Sequence, residues 1–316
     1  MTSFIIDAWQ FKDGVKTQLQ NPEGLEPNTW VHLQRDADGL ADWLLKNGLE
    51  PALVDAVLRE DTRPRFQKIG GENFLLILRG VNLNPGEQPD DMLSLRILYH
   101  NGCLLTFRKF PFKAIAYVQE QLKSEFGPST VEEVLTTVIS QIHGRIEDVI
   151  EAAELRLDEL QEQLDLSTNN NQSQLTHLHR QLLKLNRFLK PQTAALSDMY
   201  VSQIGIFKDD TFTQHFLNQK DVIFRILESI ESHIEHAWVL REHIQQNLSE
   251  KMNRNTYNLS LIAGIFMPLG FLTGLMGVNL GGIPGADSTI GFAIFCTGLL
   301  AIAVFEYVIL KRFKYW

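Results

Sequence analysis

Between residues 4 and 111 the apolar positions fall in short runs rich in β-formers. Among them are Trp30-Val31-His32-Leu33, Phe74-Leu75-Leu76-Ile77-Leu78, Leu95-Arg96-Ile97-Leu98-Tyr99 and Leu104-Leu105-Thr106-Phe107. Such runs predict strands, and His100-Asn101-Gly102 supplies a hairpin turn between the last two. Helical spacing intervenes over residues 37–47 and 51–60, so the expected fold is an α/β domain with a mixed or antiparallel sheet. Beyond Gly127-Pro128 the period changes: apolar residues recur at three- and four-residue spacing over 129–166, 174–202 and 212–276. The polar run Ser167-Thr168-Asn169-Asn170-Asn171-Gln172-Ser173 breaks the first two stretches into an antiparallel hairpin, and Lys208-Asp209-Asp210-Thr211 offers an N-cap to the third.

Two stretches are long apolar runs. Residues 257–276 and 289–310 are each about 20 residues, the length that crosses a bilayer core of roughly 30 Å as a helix. The glycine-rich segment from Gly277 to Gly285 lies between them. No Lys or Arg occurs from Gly277 to Ser288, whereas Lys251 and Arg254 precede the first span and Lys311, Arg312 and Lys314 follow the second. By the positive-inside rule both ends face the cytoplasm, which predicts a multi-pass inner (plasma) membrane protein with the loop outside. Nothing before Pro268 ends the third helix, and a proline within a span is tolerated. A helix over 212–276 would be about 95 Å long at 1.5 Å per residue. Unable to cover its own faces, it is expected to pack on copies of itself around a symmetry axis. The resulting divisions are 1–127, an α/β domain; 128–207, an acidic helical hairpin; 208–256, a stalk helix; 257–276, a first span; 277–288, an external loop; 289–310, a second span; and 311–316, a basic tail.

Composition narrows the function. The 316 residues carry a formal charge of -9, which argues against a nucleic-acid partner and is compatible with attracting cations. Residues 1–4 show no basic segment leading into an apolar core, so a cleaved leader is not expected and the large domain is placed in the cytosol. Cys103 in a strand and Cys296 in a span belong to different environments, against a disulfide. No nucleophile motif, phosphate loop or metalloprotease signature appears, and neither an enzymatic activity nor a resident cofactor is expected.

On the long helix Glu242, Gln246, Ser249, Asn253, Thr256, Ser260, Ala263, Met267, Gly270 and Gly274 share one face. Within the span the other positions are mostly bulky and apolar, Ile262, Phe266 and Leu272 among them. Gly270 and Gly274 also form a GxxxG pattern suited to close helix packing. Packing asks only for small residues, whereas the polar residues that continue the stripe below the span favour a water-filled path.

The segment Ile265-Phe266-Met267-Pro268-Leu269 followed by Gly277-Val278-Asn279 resembles the membrane core of the CorA family of divalent-cation transporters. Val278, with Leu280-Gly281-Gly282-Ile283-Pro284-Gly285 after the motif, resembles the ZntB zinc-transporter branch of that family. Thr62-Arg63-Pro64-Arg65, the hairpin at His100-Asn101-Gly102 and the acidic hairpin extend the likeness more weakly. The resemblance implies a funnel-shaped homopentamer in the lipid bilayer, with a cytosolic α+β domain, a long pore helix from each subunit and an outer loop at the ion entrance. Transported zinc, or other divalent cations, and protons are then the partners. Gly277, Val278 and Asn279 would form the entrance, the Asn279 amides taking over hydrogen bonds from hydration water; the alternative for Asn279 is a polar helix cap. Met267 is either a dewetting gate at the apolar constriction or packing filler.

Zinc favours histidine ligands. His233, His236 and His243 lie along one side of the long helix and are candidate metal ligands in an oligomer, or else solvated stalk residues. Glu132, Glu133, Glu147, Asp148, Glu151, Glu154, Asp158, Glu159, Glu162 and Asp165 make the 129–166 helix acidic, either to concentrate cations or as a solvated face. Glu306, the acid within the second span, is a proton-site candidate or a snorkelling residue. Three functions remain open on these residues: zinc transport, with proton coupling as the branch implies; a magnesium or broad divalent-cation channel; and a tail-anchored scaffold or signalling oligomer.

Overall fold

The computed structural model describes residues 4–20, 22–60, 62–165, 171–278, 283, 285 and 288–312. The chain divides into two units, Met1–Arg241 and Glu242–Trp316.

In the first unit, β1 (Ile5–Lys12), β2 (Val15–Gln18), β3 (Thr29–Gln34), β4 (Arg65–Gly70), β5 (Asn73–Gly80), β6 (Leu93–His100) and β7 (Cys103–Arg108) form one seven-stranded sheet ordered β2-β1-β3-β7-β6-β5-β4. The sheet is mixed: β3 and β7 run parallel, and the other described pairs are antiparallel. Its central strands read as continuous apolar runs because both faces are covered. One face packs on α1 (Leu40–Lys46) and α2 (Pro51–Leu58), where Leu40, Leu44, Val54 and Val57 meet Val31, Leu33, Ile77, Leu98 and Phe107. The alternate strand positions, Trp30, Leu76, Ile97 and Leu104, are equally buried. Helices α4 (Val131–Asp165) and α5 (Asn171–Val201) contact the sheet on that side.

The hairpin turn forms as expected, with Asn101 at φ 50° and Gly102 at φ 79°, the left-handed pair that a two-residue turn requires. A Cβ on Gly102 would also come within 3.2 Å of Pro27 Cβ. The structure departs from the sequence pattern at helix ends and in unmarked elements. α1 begins only at Leu40, after Gly39 at φ 82°, and α2 ends at Leu58, with Arg59 already extended. Strands β1, β2 and β4, and helix α3 (Lys113–Leu122), are not marked by the apolar pattern. α3 buries Ala114, Ile115, Val118 and Leu122, too short a stripe to stand out from sequence.

α4 opens at Thr130, whose Oγ1 accepts the Glu133 N–H at 3.1 Å, while Glu133 Oε2 accepts the Ser129 N–H at 2.7 Å. α4 and α5 pack together; most of the polar run expected to join them lies outside the described residues. A short 3-10 turn, Gly205–Lys208, leads to α6 (Asp210–Met276), a single helix of 67 residues. Asp209 Oδ1 accepts the Thr211 N–H at 2.9 Å, as the N-cap reading anticipated. α6 continues through Pro268.

The second unit holds the C-terminal part of α6 and α7 (Gly291–Arg312). Both helices are long and apolar enough to cross a membrane. Leu259, Phe266, Phe271, Phe292, Ile294 and Phe305 are all more than half exposed, an apolar surface that lipid rather than water suits.

Candidate functional site

On α6, all positions of the polar and small stripe, from Glu242 through Asn253, Thr256, Ser260 and Met267 to Gly274, are exposed within the chain. A Cβ built on Gly270 or Gly274 meets nothing within 4 Å. The half-buried positions of the span form a different row: Tyr257, Leu261, Ile265, Pro268, Leu269 and Leu272. At 100° per residue the two rows lie roughly 140° apart around the helix. α7 carries a matching half-buried row, Gly291, Phe295, Leu299, Ile302, Glu306 and Ile309. These rows are the sides of the two helices that the chain itself partly covers. The stripe therefore lies away from the partly covered side of α6, where a copy of the chain or water can reach it.

Tyr257 begins the first row, and Glu306 stands next to last in the second. Tyr257 Oη and Glu306 Oε2 are both enclosed without a hydrogen-bond partner. Glu306 thus keeps a carboxylate oxygen inside the protein surface. Tyr257 was not singled out from sequence, although an aromatic hydroxyl at the start of a span is the available signal.

Gly277 ends α6: its N–H donates to Thr273 O at 3.0 Å and Gly274 O at 3.2 Å. Val278 follows, exposed. Asn279, the remaining residue of the predicted entrance, lies outside the described residues.

The three candidate metal ligands do not share one environment. His233 is buried, with Nε2 3.6 Å from Glu154 Oε2 of α4. His236 Nε2 lies 2.8 Å from Gln161 Oε1, also on α4. His243 is exposed. The first two therefore have partners within the chain, and among the described residues no three His, Cys, Asp or Glu side chains gather as a metal site. On α4 itself Asp148, Glu151, Glu154, Asp158, Glu159 and Glu162 are exposed, while Ile142, Ile146, Ile150, Leu157 and Leu160 face inward. The acids thus occupy the helix's outer face.

Two histidines that the sequence reading passed over are fully buried. His143 of α4 places Nδ1 3.2 Å from Gln219 Oε1 of α6, and burial, offset in part by that bond, lowers its pKa to about 4. His32 of β3 places Nδ1 2.9 Å from Thr106 Oγ1 of β7; burial, with Arg108 adding to it, lowers it to about 3. Their signal was positional: His32 stands within an apolar strand run, and His143 falls at helical spacing with Ile139 and Ile146.

Comparison with known proteins agrees with this architecture. The family described as CorA-like Mg2+ transporter protein matches residues 26–312. The zinc transport protein ZntB of Vibrio parahaemolyticus is 35% identical over 98% of this chain and 96% of its own length. The divalent cation transporter CmaX of Pseudomonas aeruginosa is 35% identical over 92% of this chain and 88% of its own. The full-length CmaX structure superposes with a TM-score of 0.83 at 32% identity, covering 99% of this chain and 98% of that one. The CorA magnesium transporter of Methanocaldococcus jannaschii gives 0.82 at 17% identity, covering 98% of each chain, and shares the fold.

Proposed function

The chain belongs to the CorA-like family of membrane transporters, and we propose that it carries zinc across the inner membrane as a homopentamer, with both termini in the cytoplasm. The observation that carries this reading is the exposed stripe of α6, which runs without interruption from Glu242 to Gly274 and turns away from the half-buried row of the same helix. Copies of α6 around an axis would place those residues along a path, while the apolar remainder meets lipid.

In this mechanism a hydrated cation first meets a ring of Asn279 amides, whose oxygens replace some of its water without binding it too tightly to leave. Gly277, at the helix end, and exposed Val278 bring the backbone to that entrance. The ring of Met267 side chains, each 72% exposed in the single chain, forms a narrow apolar stretch that gates by dewetting. Below it, Ser260, Thr256, Asn253, Ser249, Gln246 and Glu242 offer hydroxyl, amide and carboxylate oxygens to the ion. Exposed His243 adds an imidazole beside that path. Protonation there competes with zinc, which gives pH sensitivity. Coupling to an inward flow of protons belongs to the same proposal and rests on the likeness of the loop after Val278 to the zinc-carrying branch.

Zinc is favoured by the name of the Vibrio relative. A broader divalent-cation channel is the second reading, favoured by an equally identical relative named for divalent cations in general. Reconstitution in liposomes containing zinc- and magnesium-sensitive dyes, under an imposed pH gradient, separates them. Zinc entry, with accumulation against a zinc gradient when protons are driven inward, is the expected result. Magnesium entry at a comparable rate would assign the broader channel. Absence of flux for both ions in assembled protein would sink the transport reading.

A further inference from the structure

At one end of the sheet in the first unit, cationic side chains converge on a cavity that includes no position of the α6 stripe. Arg35 follows β3, Lys109 follows β7, and Arg96 lies near the start of β6. The parallel β3–β7 pair and the antiparallel β6–β7 pair bring these three ends together. With Glu60 they line a cavity of about 370 Å³.

Arg96 is 1% exposed and Arg35 9%. Both guanidinium groups donate to the same acceptor, the Arg59 carbonyl at the end of α2: Arg35 Nη1 at 2.9 Å and Arg96 Nη2 at 2.6 Å. Arg96 Nη1 also donates to Ser94 Oγ at 3.2 Å, and Arg96 Nε is enclosed with no acceptor. Arg79 reaches the same wall while donating to the carbonyls of Met92 at 2.7 Å and Thr62 at 2.9 Å. Glu60, the one carboxylate among the described lining residues, is held by Lys109 at 2.7 Å. Asp61 lies outside the described residues.

Charges of one sign gathered out of water are costly unless a counter-ion joins them. Burial, then Arg35, Arg79 and Arg65 in turn, lower Arg96 to about 9. Guanidinium forks match the oxygens of an oxyanion, and a dianion answers several of them at once. Beside the cations, Phe110 presents a ring that is 54% exposed. It also lines the adjoining cavity of about 670 Å³, where Phe188 and Pro111 continue an apolar wall.

We infer that this cavity binds a phosphate group, held by Arg35, Arg96 and Lys109, either as free phosphate or as the phosphate end of a small organic ester whose ring packs on Phe110. The site regards the anion alone and does not depend on which cation the protein carries.

Calorimetric titration of the full-length protein in detergent, with inorganic phosphate and with AMP at an ionic strength fixed by sodium chloride, tests the assignment. Saturable binding is expected, weakened at least tenfold by Arg35→Gln and by Lys109→Gln. Lys109 has a side chain 35% exposed, so its replacement leaves the core packing in place. Tighter binding of AMP that Phe110→Ala abolishes assigns an organic ester, and equal affinities assign free phosphate. No saturable heat beyond the sodium chloride control, or wild-type affinity retained in either charge variant, overturns the site.

Discussion

Acidification should weaken the fold of the first unit through His143 by an amount the structure sets. The imidazole is fully buried against α6 and its pKa is lowered from 6.5 to about 4, so folding excludes a proton that the unfolded chain binds. Between those two values the unfolded state carries more protons. The contribution is therefore intact above pH 6.5 and is lost as pH falls toward 4. At pH 5 the unfolded imidazole is almost wholly protonated and the folded one about nine-tenths neutral, a loss of about 2 kcal/mol relative to pH 8. His32, lowered to about 3 by burial and Arg108, adds a loss of similar size by the same route. His143→Gln keeps a polar group facing Gln219 but removes the titration. The assay is the free energy of urea unfolding of full-length protein in detergent, followed by tryptophan fluorescence at pH 5 and pH 8. The variant should lose about 2 kcal/mol less than the wild type between the two pH values, whatever its absolute stability, because carboxylate titrations are common to both. An identical pH dependence in the two proteins would refute the assignment of that loss to His143.

Asn279→Ala is expected to abolish zinc flux in liposomes with the oligomer and its membrane insertion unchanged; normal flux would remove Asn279 from the entrance. In a background free of Cys103 and Cys296, cysteines at Asn253, Thr256, Ser260 and Gly274 should react with hydrophilic thiol reagents, whereas those at Ile262, Phe266 and Leu272 should not. Uniform protection of both sets would favour a scaffold without a pore. Gly270→Leu should leave the single chain's fold unaffected, since a Cβ there meets nothing within 4 Å and leucine favours the helix by up to about 1 kcal/mol. Flux should nonetheless fall at least tenfold, and an unchanged rate would show that the stripe faces no constricted path.

The spans, the β6–β7 hairpin and the start of α6 were legible in the chain because each depends on near neighbours. A run of apolar residues is long enough to cross a bilayer or is not; Asn101-Gly102 adopts left-handed backbone wherever it falls; Asp209 caps the helix it precedes. The α6 stripe was legible for the same reason, since helical periodicity alone says which residues share a face. Partners distant in sequence were not legible. Trp30 Nε1 donates to Thr106 Oγ1 at 3.0 Å only because β3 pairs parallel with β7, across 76 positions of chain. His233 and His236 share a helical face that the sequence reading offered to metal, yet packing gives them Glu154 and Gln161 of α4. Arg35 and Arg96 lie far apart in the chain, one just after an apolar strand and the other within one. Their meeting at the Arg59 carbonyl follows from strand order. Local backbone preference and side-chain period are written residue by residue, whereas strand order and helix docking are settled by which buried surfaces fit when the whole chain closes, and only the tertiary structure decides that.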